Sequence, residues 1–291
     1  MSPDSPIVVL DSGLGGLTVV RALRAVLPHD EILYFGDTAR LPYGSKSATT
    51  VTTFVKQIVN YFRPRRPKHV VIACNTATAL ALPGLRGEFA DLSISGVVEP
   101  GARAAVAAAG ARQEPVIGVI ATEATVRSKA YERAIHRRRN HARILLRPTP
   151  LLVPMIEEGR DARDPVVHLV LQQYLQPLLD RKIDVLLLGC THYPLLKGLI
   201  ARIVGPNVSV IDSAEACAED VERRLRSAGL LRPGGGGEPR GSLRCFVTDD
   251  SPRFAALARH FLGFSVAAPT WVPPEELYAA SPALERIRQA G

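Results

Sequence analysis

Aromatic side chains are scarce in this chain of 291 residues: they make up 5% of it, with one Trp. No apolar run reaches the roughly 20 residues that a transmembrane helix needs, and the N-terminus lacks a signal-peptide pattern. Hydrophobic residues still form 46% of the sequence, which argues against a disordered chain. We therefore expect a cytoplasmic protein of one or two domains, with a sizeable core and no membrane contact.

Cysteine is also scarce. The four cysteines, Cys74, Cys190, Cys217 and Cys245, lie far apart, and none forms a C-x-x-C pair. This spacing does not match a zinc site, and a reducing compartment keeps such residues as free thiols. The sequence thus predicts neither disulfides nor a bound metal.

Acidic residues are outnumbered by basic ones, which leaves a formal net charge of +8. Two basic clusters stand out, namely Arg63, Arg65, Arg66 and Lys68, and then Arg137, Arg138, Arg139 and Arg143. Neither cluster has interleaved aromatic residues or a nucleic-acid-binding motif. We therefore interpret both as solvated helix ends or loops rather than as nucleic-acid contacts.

Two of the cysteines occur in similar local settings. An apolar run at residues 185–188 leads into Gly189-Cys190-Thr191-His192-Tyr193, and a helical apolar pattern follows. Another apolar run at residues 70–72 leads into Cys74-Asn75-Thr76. Each cysteine is therefore predicted at the carboxyl end of a buried strand, where open α/β sheets place their ligands.

Strand and helix patterns alternate along the chain, which predicts an α/β fold with mainly parallel sheets flanked by helices. The distance from Asp11 to Cys74 is close to that from Thr122 to Cys190, which indicates a loose internal repeat. We infer two similar α/β domains, residues 1–98 with 209–270 and residues 99–208, with the active site in the cleft between them. Residues 271–291 are interpreted as a C-terminal tail.

Three local predictions accompany this division. A strand is expected around residues 97–98, and a single helix over residues 126–135, where apolar residues have helical spacing. The run Gly234-Gly235-Gly236-Gly237 is expected to form a flexible loop.

Two thiols at strand ends suit one type of reaction. A cysteine at a helix N-terminus has its thiolate stabilised by backbone amides and the helix dipole. If two such thiols face each other, one can remove a proton from a carbon while the other delivers a proton to the opposite face. A small buried cysteine can also simply fill the core, and we assign Cys217 and Cys245 to packing.

The polar neighbours of the thiols have two interpretations each. Asp11 and His192 are placed to tune the thiols or to relay protons, but Asp11 also fits a helix N-cap and His192 a loop hydrogen bond. The neutral donors at strand ends can hold carboxylates together with helix-terminal amides. These donors are Ser12, Tyr43, Asn75, Thr76 and Thr191.

Two other classes of protein stay open at this point. Gly13-x-Gly15 followed by Asp37 partly fits a dinucleotide-binding site, but Thr18 stands where the third glycine belongs. A cysteine hydrolase would need a Cys–His pair and an oxyanion hole, which Cys190 and His192 suggest only weakly.

At these residues the sequence resembles the glutamate racemases of the aspartate/glutamate racemase family, over roughly positions 7–265. Seven stretches that are specific in combination carry the resemblance. They are Asp11-Ser12-Gly13-Leu14-Gly15-Gly16-Leu17-Thr18, Gly36-Asp37-Thr38-Ala39-Arg40-Leu41-Pro42-Tyr43-Gly44, Ala73-Cys74-Asn75-Thr76-Ala77-Thr78, Gly118-Val119-Ile120-Ala121-Thr122, Ser128-Lys129-Ala130-Tyr131, Val153-Pro154-Met155-Ile156-Glu157 and Gly189-Cys190-Thr191-His192-Tyr193-Pro194.

The resemblance implies a cofactor-independent enzyme that interconverts L- and D-glutamate and supplies D-glutamate for peptidoglycan. It implies that Cys74 acts on the D-isomer and Cys190 on the L-isomer. Asp11, Glu157 and His192 would have supporting acid–base roles. The implied substrate-binding residues are Asp11, Ser12, Tyr43, Gly44, Asn75, Thr76, Thr122, Thr191 and His192.

The resemblance also implies a homodimer, and it leaves two questions open. An aspartate racemase has the same fold and chemistry and acts on a substrate shorter by one methylene. His192 favours glutamate, because aspartate racemases resemble Cys-Thr-Glu at this position. Some family members are reported to inhibit DNA gyrase, a partner that no residue pattern in this sequence supports.

Overall fold

A computed structural model describes residues 1–234, 241–249 and 254–279. Most of the glycine run that was predicted to be flexible, and residues 280–291 of the predicted tail, lie outside these ranges. Within the described ranges, no helix is long and apolar enough to cross a membrane.

The structure contains alternating strands and helices. The strands are β1 (Ile7–Asp11), β2 (Ile32–Gly36), β3 (His69–Ile72), β4 (Ile94–Gly96), β5 (Val116–Ala121), β6 (Arg143–Pro148), β7 (Val185–Gly189), β8 (Ser209–Asp212), β9 (Leu243–Val247) and β10 (Thr270–Trp271). The helices are α1 (Leu17–Val26), α2 (Ala48–Phe62), α3 (Asn75–Glu88), α4 (Val98–Ala108), α5 (Glu123–Arg127), α6 (Ala130–His136), α7 (Leu152–Glu157), α8 (Pro165–Leu179), α9 (Lys197–Val204), α10 (Ser213–Ser227), α11 (Phe254–Leu262) and α12 (Pro274–Ala279). Short 3₁₀ turns include Tyr43–Ser45 and Tyr193–Leu196.

The strands form two parallel sheets. One has the order β10-β9-β2-β1-β3-β4, and the other has the order β6-β5-β7-β8. The four strands β2-β1-β3-β4 therefore repeat the arrangement β6-β5-β7-β8. Strands β1, β2, β3 and β7 are buried along their whole length, as expected for parallel strands that are covered by helices on both faces. The predicted α/β class with two similar sheets is confirmed.

The sheet pairing corrects the predicted boundary between residues 208 and 209. Strand β8 was assigned to the first domain, but it pairs in register with β7 in the four-stranded sheet. It is the counterpart of β4, and it covers the edge of β7 that would otherwise present unpaired backbone groups. The chain returns towards the first sheet only afterwards, in α10, which packs against α1.

Two local predictions also change. The strand expected at residues 97–98 is β4, which ends at Gly96, and Val98 already begins α4. The single helix expected at residues 126–135 is two helices, because Lys129 between them has a left-handed backbone (φ 53°). Ser128 Oγ accepts a hydrogen bond from the first backbone N–H of α6, that of Ala130, at 3.2 Å.

The predicted tail at residues 271–291 is partly structured. Trp271 belongs to β10, which extends the first sheet beside β9. Helix α12 then packs against α2 and buries Leu277. Residues 270–279 therefore belong to the first sheet and its helical layer.

Candidate active site

A cavity of about 310 Å³ lies where the carboxyl ends of the two sheets face each other. Residues that follow β1, β3, β5 and β7 line it, as the strand-end argument predicts. The structure brings these predicted site residues together in its wall: Ser12, Tyr43, Gly44, Cys74, Asn75, Thr76, Thr122, Glu157, Cys190, Thr191 and His192. Asp11 lies behind this wall, buried at the end of β1.

Cys74 occupies the N-cap position of α3, and its sulfur faces the start of that helix. The Sγ atom accepts hydrogen bonds from the hydroxyl of Ser12 at 3.4 Å and from the backbone N–H of Ala77 at 3.5 Å. Burial, followed by the charge of Asp11, raises the pKa of the Cys74 thiol to about 12, although the two hydrogen bonds act in the opposite direction. Cys74 is therefore a thiol at neutral pH, suited to donating a proton.

Asp11 ends β1 next to the strand that leads to Cys74. Its Oδ2 accepts a hydrogen bond from the backbone N–H of Gly13 at 3.0 Å. It is not the N-cap of α1, since Gly16 occupies that position. Burial raises the pKa of Asp11, and the charge of His192 and the surrounding amides only partly offset this. A carboxylate with a raised pKa can take up a proton more readily than an exposed one.

The second thiol has a different partner. Cys190 Sγ lies 3.8 Å from Nδ1 of His192, and the other ring nitrogen, Nε2, lies 3.0 Å from Oε1 of Glu157. The ring of Phe261 packs against the imidazole at a centroid distance of 5.3 Å. Burial favours the neutral imidazole, but the contacts with Cys190 and Glu157 outweigh it and raise the pKa of His192 to about 10. At neutral pH a cation therefore lies beside the Cys190 sulfur.

This pKa shift predicts how stability changes with pH. An unfolded histidine titrates near pH 6.5. The stabilisation of the fold that comes from the raised pKa of His192 is therefore fully present below that pH and is lost as the pH rises towards 10. We expect the free energy of unfolding in urea to fall between pH 7 and pH 9. Glu157→Gln should reduce this fall, because it removes one of the two groups that raise the pKa. An equal fall in both proteins would contradict the assignment.

The glycine turn after β1 has a packing role that the sequence did not reveal. A Cβ atom on Gly15 would lie 2.4 Å from the ring of His192 and 2.4 Å from Oγ1 of Thr191. The hydroxyl of Thr18 donates to the carbonyl of Thr191 at 2.8 Å. The turn therefore packs against the segment that contains Cys190 and follows β7 of the second sheet. The space that a pyrophosphate would need at this turn is occupied by His192, which argues against the dinucleotide interpretation.

Hydroxyl and amide donors complete the wall. Oγ1 of Thr76 lies 2.9 Å from Oγ1 of Thr122, across the two sheets. The side-chain amide of Asn75 is buried, and its Nδ2 has no hydrogen-bond partner among the described residues. No Lys or Arg belongs to the part of the lining that the structure describes. An anionic ligand would therefore be held by neutral donors and by backbone amides at helix starts.

The hydroxyl of Tyr43 is already engaged. It donates to Oδ2 of Asp37, a fully buried carboxylate that also binds Nε of Arg40 at 2.8 Å and Oγ1 of Thr248 at 3.0 Å. This network fixes the turn Tyr43–Ser45 as one wall of the cavity. A ligand would therefore contact the ring of Tyr43 and the backbone of the turn rather than a free phenol hydroxyl.

Sequence reasoning missed part of the lining. The additional residues are Gly13, Leu41, Pro42, Ser45, Glu123, Thr149, Pro150, Val153 and Pro154. Thr149 and Pro150 follow β6, so the strand-end rule could have found them if it had been applied to every strand. Leu41 and Pro42 belong to a loop whose path the apolar pattern does not predict.

Other charged and sulfur-containing groups lie elsewhere. Cys217 and Cys245 are buried in the core, away from the cavity lining. Lys68 is fully buried and paired with Asp30. It is therefore not an exposed cation of the first basic cluster. Arg137 binds the carboxylate of Glu99. In the described ranges, no group of three His, Cys, Asp or Glu side chains could hold a metal ion.

Comparison with known proteins decides the family. The model of the Asp/Glu/hydantoin racemase family matches residues 17–221. The chain belongs to the Asp/Glu/hydantoin racemase family. One relative within it is the glutamate racemase of Neisseria meningitidis, which is 45% identical over 258 residues that cover 89% of this chain and 93% of the relative.

Solved structures of racemases in this family have the same fold. The glutamate racemase of Thermus thermophilus, in complex with β-chloro-D-alanine, is 44% identical with a TM-score of 0.83, over 95% of this chain and 100% of that chain. The glutamate racemase of Francisella tularensis, in complex with D-glutamate, is 34% identical with a TM-score of 0.84, over 93% and 98% of the two chains.

Proposed function

We propose that this chain is a cofactor-independent glutamate racemase in which one thiol removes the α-proton and a second thiol delivers a proton to the opposite face. The observation that carries the proposal is that Cys74 and Cys190, at equivalent strand ends of two repeated sheets, line one cavity. Each thiol has its own acid–base neighbour, Asp11 for Cys74 and His192 for Cys190. A racemase needs such paired groups, because the roles of acid and base exchange when the direction reverses.

In the direction from L- to D-glutamate, Cys190 acts as the base. Its thiolate takes the α-proton, and the charge of the protonated His192 stabilises the sulfur anion before the transfer. Cys74, which is neutral because burial raises its pKa to about 12, then delivers its proton to the opposite face of the same carbon. The bond from Cα to hydrogen breaks on one side and re-forms on the other, so no atom is gained or lost apart from the exchanged proton.

In the reverse direction the roles exchange. Cys74 must then be the thiolate, and Asp11 is the neighbouring carboxylate that can take its proton. The raised pKa of Asp11 supports this role. Glu157 orients His192 through its 3.0 Å contact with Nε2, so that Nδ1 points to Cys190.

Two features support glutamate as the substrate. Neutral donors and helix-terminal amides line the cavity and suit the two carboxylates of an acidic amino acid. The relatives at 34–45% identity reported above are glutamate racemases, one of them in complex with D-glutamate. Aspartate is the alternative, since it differs by one methylene, which a pocket discriminates by only about 1–3 kcal/mol.

We also propose the setting that the family resemblance implies. The enzyme would act in the cytoplasm, as a homodimer, and supply D-glutamate for peptidoglycan. Sedimentation of the purified protein at several concentrations tests the dimer. A monomer at all of them would contradict it.

The test of the function is a direct assay. Purified protein should racemise L-glutamate in the absence of added cofactor, monitored by optical rotation, and should act far more slowly on L-aspartate. Treatment with a chelator or with a carbonyl reagent should leave the rate unchanged. Preference for aspartate, or loss of activity that metal or pyridoxal phosphate restores, would contradict the proposal.

A further inference from the structure

Tyr131, from the stretch Ser128-Lys129-Ala130-Tyr131, has no role in the site described so far. It lies in α6, on the helical layer of the second sheet, and its ring is 1% exposed. A Cβ on Gly189 would lie 3.0 Å from the ring, so the ring fits closely against the strand that leads to Cys190. Its hydroxyl donates to Oδ1 of Asn75 at 2.5 Å, across the two sheets.

The hydrogen bond has a consequence for the cavity. A side-chain amide has one acceptor and one donor end. Because the Tyr131 hydroxyl donates to Oδ1 of Asn75, the acceptor end of the amide is engaged and the N–H donors of Nδ2 remain for a ligand. Nδ2 is the buried atom without a partner among the described residues, and Asn75 lines the cavity.

We propose that Tyr131 is a positioning residue that holds the Asn75 amide with its N–H donors turned towards a substrate carboxylate. The inference rests on the proposed function, because it takes an acidic amino acid as the ligand. The cavity lining that the structure describes contains no Lys or Arg, so a correctly oriented neutral donor has more weight in anion recognition than it would have beside a cation. Without the hydroxyl, Oδ1 is a buried acceptor without its donor whenever Nδ2 faces the substrate.

Tyr131→Phe tests the inference, since it removes the hydroxyl and keeps the ring. We expect KM for L-glutamate to rise about tenfold, the effect of one lost buried hydrogen bond, while kcat changes much less. A matched control is Tyr61→Phe, in which the ring packs against Phe35 and Phe62 away from the cavity lining. The control should keep the wild-type KM.

A double-mutant comparison separates positioning from packing. If Tyr131 acts through Asn75, then Tyr131→Phe should have no further effect on KM in an Asn75→Ala background. A purely structural role would give the same increase in both backgrounds. Circular dichroism and thermal unfolding of each variant establish that it is folded.

A second variant keeps the inference testable if Tyr131→Phe does not fold. Asn75→Asp has nearly the same shape, but it turns a carboxylate oxygen towards the cavity in place of the N–H donors. We expect it to raise KM for L-glutamate by about tenfold or more.

The outcomes distinguish the inference from the proposed function. No turnover of glutamate by the wild type would contradict the function itself. Turnover by the wild type with an unchanged KM in Tyr131→Phe or Asn75→Asp, or equal effects of Tyr131→Phe in both backgrounds, would overturn the role of Tyr131 alone.

Discussion

Replacing either Cys74 or Cys190 by Ala should lower kcat for racemisation by about 10²–10⁴-fold or more in both directions, because each turnover needs one thiol as base and the other as acid. A single remaining thiol can remove the α-proton on its own side, but it cannot deliver a proton to the opposite face. Optical rotation with L- and D-glutamate as substrates measures both directions. Full activity in either variant would contradict the two-thiol mechanism.

Each of these variants should still be able to remove the α-proton with its remaining thiol. A glutamate analogue with a leaving group on the β-carbon needs only a base: the α-proton leaves, the Cα–Cβ double bond forms, and the leaving group departs with its electron pair. Cys74→Ala should still catalyse this elimination from the L-analogue, and Cys190→Ala from the D-analogue. Elimination with the opposite chirality would reverse the assignment of the two thiols.

Cys245→Ala and Cys217→Ala are matched controls for these variants. Both residues are buried thiols, and burial raises the pKa of each to about 12, as it does for Cys74. Neither lines the cavity. They should lose stability to the extent that a buried sulfur is removed and retain the wild-type kcat per folded molecule.

Gly15→Ala should reduce kcat about a hundredfold, the loss that a displacement of about 1 Å at a reacting group can cause. Its added Cβ would lie 2.4 Å from the imidazole of His192 and 2.4 Å from Oγ1 of Thr191, so these groups must move. The displacement changes the 3.8 Å contact between His192 and Cys190. Overpacking of this kind also costs about 1–3 kcal/mol of stability, which urea unfolding measures.

The control for this variant is Gly84→Ala, in α3, where an added Cβ meets nothing within 4 Å. It should keep full activity, and it should gain stability of up to about 1 kcal/mol, because alanine is the better helix former. If Gly15→Ala kept wild-type kcat, the turn would not hold His192 in its catalytic position.

Local patterns predicted the parts of the site that depend on short stretches of chain. An apolar strand followed by a helical pattern places Cys74 and Cys190 at strand ends, and this needs only neighbouring residues. The same reasoning failed at β8, because whether a strand joins one sheet or the other depends on which edge remains to be paired. The break at Lys129 escaped detection, since the apolar spacing continues through it.

Contacts between distant segments were beyond prediction from patterns. The closeness of Gly15 to His192, the bond from Tyr131 to Asn75 and the bond from Thr248 to the buried Asp37 join residues far apart in sequence. The family resemblance indicated that these stretches matter, but it did not say which atoms meet. The packing of the two sheets against each other determines the first two contacts, and the pairing of β2 with β9 in the first sheet places Asp37 beside Thr248.

The fate of the α-proton in D₂O tests the central claim, that one thiol removes the α-proton and the other delivers a solvent-derived proton to the opposite face. Starting from L-glutamate and observing the first few per cent of conversion by proton NMR, we expect D-glutamate that carries deuterium at Cα, while the remaining L-glutamate stays largely protiated. This follows because the acid that delivers the proton has exchanged with solvent. Substantial retention of the original hydrogen in the D-glutamate would mean that a single base removes and returns it, and would contradict the account.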